Sequence, residues 1–152
     1  MKIRILAGCL LALTACNKKE ENKKPIDTAA PEAAAMVSGK SCYQMIKGRD
    51  TIRLSLAMNA NNANGELVYA LDGKDRNQGT FSGMFIGDTL FADYTFNSEG
   101  TQSVRETVFL RRNDGLIQGF GEMVENGNKQ SFANPGKISF DENLVLAKTE
   151  CK

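Results

Sequence analysis

Residues 41–152 predict an all-β domain, an antiparallel up-and-down meander that closes into a small barrel of about eight strands. Three observations carry this expectation. Apolar and polar residues alternate with a period of two, short Asn/Asp/Gly-rich segments interrupt the alternation at regular intervals, and a cysteine stands at each end, Cys42 and Cys151. No stretch of useful length shows a helical period. The same pattern of strands is compatible with an open β-sandwich, which is the alternative.

The elements follow in order. Residues 42–46 form a first short strand. In residues 50–58, Ile52, Leu54, Leu56 and Met58 share one face while Thr51, Arg53, Ser55 and Ala57 share the other, the signature of a half-buried strand. Residues 59–65, five of them Asn or Gly, supply turn chemistry, and Leu67, Tyr69 and Leu71 then continue in phase. After a break at residues 72–77, Phe81, Gly83 and Phe85 alternate against Thr80, Ser82 and Met84. Gly87-Asp88 is a two-residue hairpin turn into a strand with Leu90, Ala92, Tyr94 and Phe96 on one face. Residues 97–100 turn again, and residues 103–111 place Val104, Val108 and Leu110 in phase. Asn113-Asp114-Gly115 leads into residues 116–124, where the phase is ambiguous because Ile117 and Met123 oppose Leu116, Phe120 and Val124. Gly119 and Gly121 share a face there and either leave room for aromatic rings from across the core or mark the bend a closing sheet needs. A short strand at 129–132, the Asn134-Pro135-Gly136 turn and a last apolar piece at 144–151 complete the chain.

Such a meander exposes backbone donors and acceptors at its outer strands unless the sheet closes on itself. Closure makes the first and last strands neighbours, which is where Cys42 and Cys151 lie. A barrel of this size has an interior just wide enough for side chains or one small ligand. Phe81, Phe85, Phe91, Phe96, Tyr69 and Tyr94 are the candidates to fill it.

Ahead of the domain the composition changes twice. Met1-Lys2-Ile3-Arg4 is a short basic segment and residues 5–13 are an apolar run, which at a rise of about 1.5 Å per residue covers roughly half of a hydrocarbon core. That suits a signal peptide better than a spanning helix. The run ends in Leu13-Thr14-Ala15-Cys16, which resembles the lipobox of bacterial lipoproteins. The resemblance implies cleavage before Cys16 and diacylglyceryl attachment to its thiol. The expected organisation is a cleaved signal over residues 1–15, a lipidated Cys16 with a flexible tether to residue 40, and the barrel over residues 41–152. The tether has charge, Pro and Ala but no periodic large apolar residues, so it cannot offset its ordering entropy by burial. About two dozen such residues reach roughly 25 to 30 Å, enough to hold a domain clear of headgroups.

Two of the four cysteines leave the account in this scheme, Cys9 with the signal and Cys16 with the lipid. The remaining pair, Cys42 and Cys151, is expected to form a disulfide in an oxidising compartment. Lys19-Glu20-Glu21 resembles the charged export signal that carries lipoproteins of Bacteroidota to the outer face of the outer membrane, and Asp27-Thr28-Ala29 resembles the O-glycosylation acceptor of that phylum, with Thr28 as the acceptor. The domain itself is similar to small uncharacterised lipoproteins of Bacteroidota in Cys42-Tyr43, Asp50-Thr51, Gly65-Glu66-Leu67-Val68-Tyr69, residues 87–94, Asn97-Ser98-Glu99-Gly100, Ser103-Val104-Arg105-Glu106 and Cys151. The resemblance implies a cell envelope location, at the outer membrane and facing either the surface or the periplasm. It implies no activity.

The chain contains no His, so no imidazole base or histidine metal site is available. With Cys42 and Cys151 paired, thiolate zinc sites go too. A phosphate-binding glycine loop is missing, and the formal net charge, +1 for the chain and −1 once Lys2 and Arg4 leave with the signal, suggests no nucleic-acid partner. No catalytic residue, cofactor or metal is therefore assigned. One position stands out: Glu106 falls in phase with Val104, Val108 and Leu110, which would aim a carboxylate at the barrel interior beside Tyr69 or Tyr94. Together with Arg105 or Arg53 it would orient a small ligand at the barrel mouth, and a bulge or rim position is the competing explanation. The functional expectation is a membrane-anchored, non-catalytic structural or interaction module with an envelope protein partner. The alternative is a barrel that holds a small apolar ligand, lipocalin-like in architecture. A hydrolase that works without histidine ranks last.

Overall fold

The computed structural model describes residues 38–98 and 100–151. Cys16, the signal segment, Thr28 and nearly all of the tether lie outside the described residues. Ten strands follow one another: β1 (Ser38–Lys47), β2 (Asp50–Asn59), β3 (Asn62–Ala70), β4 (Asn77–Ile86), β5 (Thr89–Ser98), β6 (Thr101–Arg112), β7 (Gly115–Phe120), β8 (Met123–Asn126), β9 (Lys129–Phe132) and β10 (Ser139–Thr149). β1 to β7 run as an antiparallel meander, and β10 returns between β7 and β1 to close an eight-stranded barrel. Closure is stapled by the Cys42 to Cys151 disulfide, whose Cα atoms are 5.2 Å apart, next to the Cys42 and Thr149 ladder pair.

Most hairpins obey the turn chemistry of the sequence; the turn expected over residues 59–65 is shorter, since β3 begins at Asn62 and the positive φ there falls on Ala60. Gly48, Gly87 and Gly127 take positive φ at tight turns, where a side chain would be strained. Directly paired residues of a ladder face the same side, so the registers define the interior. Leu54 pairs with Leu67, Phe81 with Tyr94, and Leu90 with Phe109, and these inward positions merge into one core with Met45, Ile52, Leu116 and Leu146. Leu67, Leu90, Phe109, Leu116 and Leu146 are wholly inaccessible. The barrel is filled by its own side chains. Of the six rings expected to fill it, Phe91 is the exception: it pairs with Met84 and Val108 on the outer face. Phe109 from β6 is inside instead.

The expected single strand over residues 116–124 is two strands. β7 ends at Phe120, and β8 and β9 form a small hairpin that leaves the barrel and folds back against it. β6 pairs with β7 only at residues 109–112; further back its free edge is taken by β9, in parallel, at Val104 and Arg105. The ambiguous phase has the same origin. Leu116 and Gln118 point inward, whereas Ile117 and Gly119 point outward opposite Val145 and Phe140. Val108 and Ile117 are buried on that outer side without belonging to the main core. A Cβ on Gly119 would stand 2.5 Å from Val108, 2.7 Å from Ile138 and 2.8 Å from Phe140, so three apolar side chains converge on the space this glycine leaves. Gly121 does the same for the Phe132 ring. The two glycines thus make room for rings on the outer face, not across the core.

Candidate functional site

The β8 and β9 hairpin builds a groove on the barrel wall. Its floor is the outer face of β4, β5 and β6, with Met84, Phe91, Asp93 and Glu106, and its wall is Lys129 and Phe132 of β9. The groove encloses about 300 Å³. Met84 is about half exposed at one end, and the charged residues gather at the other.

Glu106 is the residue whose position departs most from expectation. The β5 and β6 ladder pairs it with Asp93, which places it on the outer face, while Arg105 and Thr107 take the inward positions opposite Tyr94 and Ala92. The apolar run Val104, Val108 and Leu110 marks an outer face covered by the hairpin and by Ile138 and Phe140, and that covering inverted the apparent phase. Glu106 Oε2 accepts from the Phe132 backbone N–H at 2.8 Å. This bond satisfies a donor that the short parallel ladder no longer reaches, since β6 and β9 pair only at two positions. Lys129 Nζ donates to Asp93 Oδ2 at 2.8 Å and stands 3.9 Å from Glu106 Oε1. The Asp93 carboxylate holds the Lys129 ammonium above its ordinary range, and Glu106 adds to the effect. These side chains remain a third or more exposed, so the ion pair itself contributes about 0 to 1 kcal/mol.

Arg53 is exposed on the outer face, paired with Gln44 and Val68, and does not meet Glu106. Tyr69, Tyr94 and Arg105 do come together. The Tyr69 and Tyr94 rings meet edge to face at 5.8 Å, Tyr94 stacks on Phe96 at 4.9 Å, and the Arg105 guanidinium lies 5.7 Å from the Phe96 centroid. Arg105 Nε also donates to Gln130 Oε1 of β9 at 2.9 Å. At the other end of the core Arg111 sits 4.0 Å over Phe85. The inward face of β6 is therefore capped by a cation over an aromatic ring at both ends.

Burial pushes the Tyr69 hydroxyl up to about 12, against the opposing pull of the Thr107 and Gln118 side chains and the Arg105 charge. Burial also raises Tyr94, and Tyr69 beside it adds to the rise. Both rings stay protonated at neutral pH and keep a proton to donate. Gln118 Nε2 donates to Tyr69 Oη at 2.9 Å. Sequence reading named neither Gln118 nor Thr107, nor Asp93 and Lys129. A polar residue on an inward phase is invisible until the register is known, and Lys129 belongs to a strand of only four residues.

A second, more open depression of about 940 Å³ lies over β7 and β10, where Arg112 and Glu142 form an ion pair at 2.8 Å beside Ile117 and Val145. Among the described residues no cluster of three His, Cys, Asp or Glu side chains is arranged to hold a metal ion. The chain was compared with protein-family models, curated proteins and solved structures, and none matches.

Proposed function

We propose that the protein is a lipid-anchored module of the bacterial cell envelope that acts by contact and not by catalysis, with the groove beside β9 as its contact surface. The observation that carries this reading is the filled interior: side chains such as Leu54, Leu67, Leu90, Phe109 and Leu116 occupy the space a lipocalin-like barrel would give to a ligand. Recognition is thereby moved to the outside of the wall. There the groove offers apolar surface from Met84, Phe91 and Phe132 next to a fixed set of charges, the mixture that suits a protein partner's side chains. Both carboxylates in it are engaged, Asp93 by Lys129 and Glu106 by a backbone amide.

Anchoring rests on Leu13-Thr14-Ala15-Cys16 behind a basic segment and a short apolar run. The likeness to lipoproteins of Bacteroidota, with Lys19-Glu20-Glu21 just after the anchor, supports the outer membrane. Mass spectrometry of the mature protein from membranes tests this half of the proposal. The expected N-terminus is Cys16 carrying diacylglycerol, and an unmodified chain that starts at Met1 in the soluble fraction would contradict it. The contact half is tested by in-cell crosslinking from position 84 with position 53, on the outer face of β2 and outside the groove, as control. A crosslinked partner at 84 that is lost in Phe132→Asp and never seen at 53 is expected; equal yields at both positions would contradict the groove.

A further inference from the structure

Inside the barrel, behind the stretch of β6 that β7 does not cover, four polar side chains gather: Tyr69 of β3, Tyr94 of β5, Thr107 of β6 and Gln118 of β7. Tyr69 links them. Its hydroxyl accepts from Gln118, its ring touches Tyr94, and the Thr107 side chain lowers its pKa as a hydrogen-bonding neighbour would, although the two hydroxyls do not meet as a hydrogen bond in the structure. Among the described residues three side-chain oxygens of this group are buried and have no hydrogen-bond partner: Tyr94 Oη, Thr107 Oγ1 and Gln118 Oε1. Tyr94 is 2% and Thr107 4% exposed, so solvent at the surface does not serve them.

Buried polar atoms in folded proteins are almost always paired, and each unpaired one carries its full desolvation cost. On the inward face of β6, Thr107 lies between Arg105, the partner of Tyr94, and Phe109, the partner of Gln118, so the three residues occupy consecutive inward levels of β5, β6 and β7. Their chemistry is also complementary to a single object. Tyr94 and Thr107 each have a hydroxyl proton to donate, and Gln118 Oε1 can only accept. An oxygen atom that takes two hydrogen bonds and gives one matches that set. Thr107 also lines the outer groove, so the site lies directly behind the groove floor.

We propose that Tyr94, Thr107 and Gln118 form an internal binding site for one guest oxygen, which accepts from the two hydroxyls and donates to Gln118 Oε1. The guest is a water molecule, since the interior is filled by side chains and shows no volume for anything larger. It is compatible with a filled core, because a buried water occupies only about 30 Å³. The inference stands apart from the contact surface outside, since either can fail without the other.

The sign of a stability change tests it in the full mature chain. Tyr94→Phe and Thr107→Val keep shape and remove one hydroxyl each. If the hydroxyls bind a guest, each substitution lowers Tm by roughly 2 to 8 °C. If they are truly unpartnered, removal leaves Tm unchanged or raises it, and the proposal is overturned. A second measurement needs no variant: wild-type protein is unfolded, refolded in plain buffer, and examined by water-to-protein NMR cross-relaxation and native mass spectrometry. Long-lived water cross-peaks at Thr107 and Tyr94 with Tm retained identify water. A fall in Tm with loss of a bound mass from the native sample would show an internal ligand in place of water and overturn the proposal. Neither cross-peaks nor a lost mass would overturn the site.

Discussion

Glu106 shows how much one carboxylate can hold when it accepts from a backbone amide. Glu106→Ala leaves the Phe132 N–H without its acceptor and is expected to cost about 1 to 3 kcal/mol in chemical unfolding. Glu106→Gln keeps a side-chain acceptor and costs less, and Lys129→Ala, which removes an exposed ion pair, costs under about 1 kcal/mol. Equal losses for Glu106→Ala and Lys129→Ala would show that the amide bond does not matter. Gly119 is expected to tolerate nothing larger. Gly119→Val drives methyl groups into Val108, Ile138 and Phe140 and lowers stability by about 1 to 3 kcal/mol. The tyrosines give a pH dependence. Tyr69 rises from 10.0 to about 12 on folding, so its contribution to stability is complete below pH 10 and is lost as pH climbs through about 12. Lys129, also raised, acts in the same direction. Unfolding free energy should fall across this window by up to about 2 to 3 kcal/mol from Tyr69, and Tyr69→Phe should flatten the fall. A flat wild-type curve would contradict the burial of its hydroxyl.

Among the elements, the β8 and β9 hairpin is held least. It joins the barrel through two parallel ladder pairs at Val104 and Arg105, the Val104 N–H to Asn128 carbonyl bond, the Arg105 to Gln130 side-chain bond, the Glu106 bond and the Lys129 pair. Amides of β8 and β9 should exchange with deuterium well ahead of those of β2 to β5, with Phe132 the slowest of the group. In Glu106→Ala the Phe132 amide should join its neighbours. Uniform protection across hairpin and barrel would mean that the hairpin is an integral part of the wall. The strands with clean alternation, β2 and β5, were legible from sequence because one face meets oil and the other water. β6 and β7 were not, since the hairpin, Ile138 and Phe140 cover their outer side and make that outer face apolar. The inward face of β6 reads Ser103, Arg105, Thr107, Phe109 and Arg111, polar at nearly every position, because its two arginines cap rings at the ends of the core. Apolar alternation there points to the wrong side, and Glu106 was carried with it.

For the whole molecule, closure is the property the chain announced most clearly, through hairpin turns in series and cysteines at both ends. The disulfide spans a sequence separation of 109 across the β1 and β10 seam. Replacing Cys42 and Cys151 by Ser should cost about 4 to 5 kcal/mol on the chain-entropy account, read as a lower denaturant midpoint, and a midpoint unchanged by reduction would contradict the staple. The candidate site was legible only in part: Tyr69, Tyr94 and Arg105 come together around Phe96 and without Glu106, whose partners come from a hairpin whose two strands are only four residues each. What the account depends on most is that the barrel is solid, so that contact takes place outside it. Titrating the isotope-labelled protein with a medium-chain fatty acid, with backbone and methyl NMR shifts as the readout, tests this directly. The account predicts no saturable shifts at the inward methyls of Leu54, Leu67 and Leu116; a saturable one-to-one response centred on those residues would show a hollow, ligand-holding barrel and contradict it.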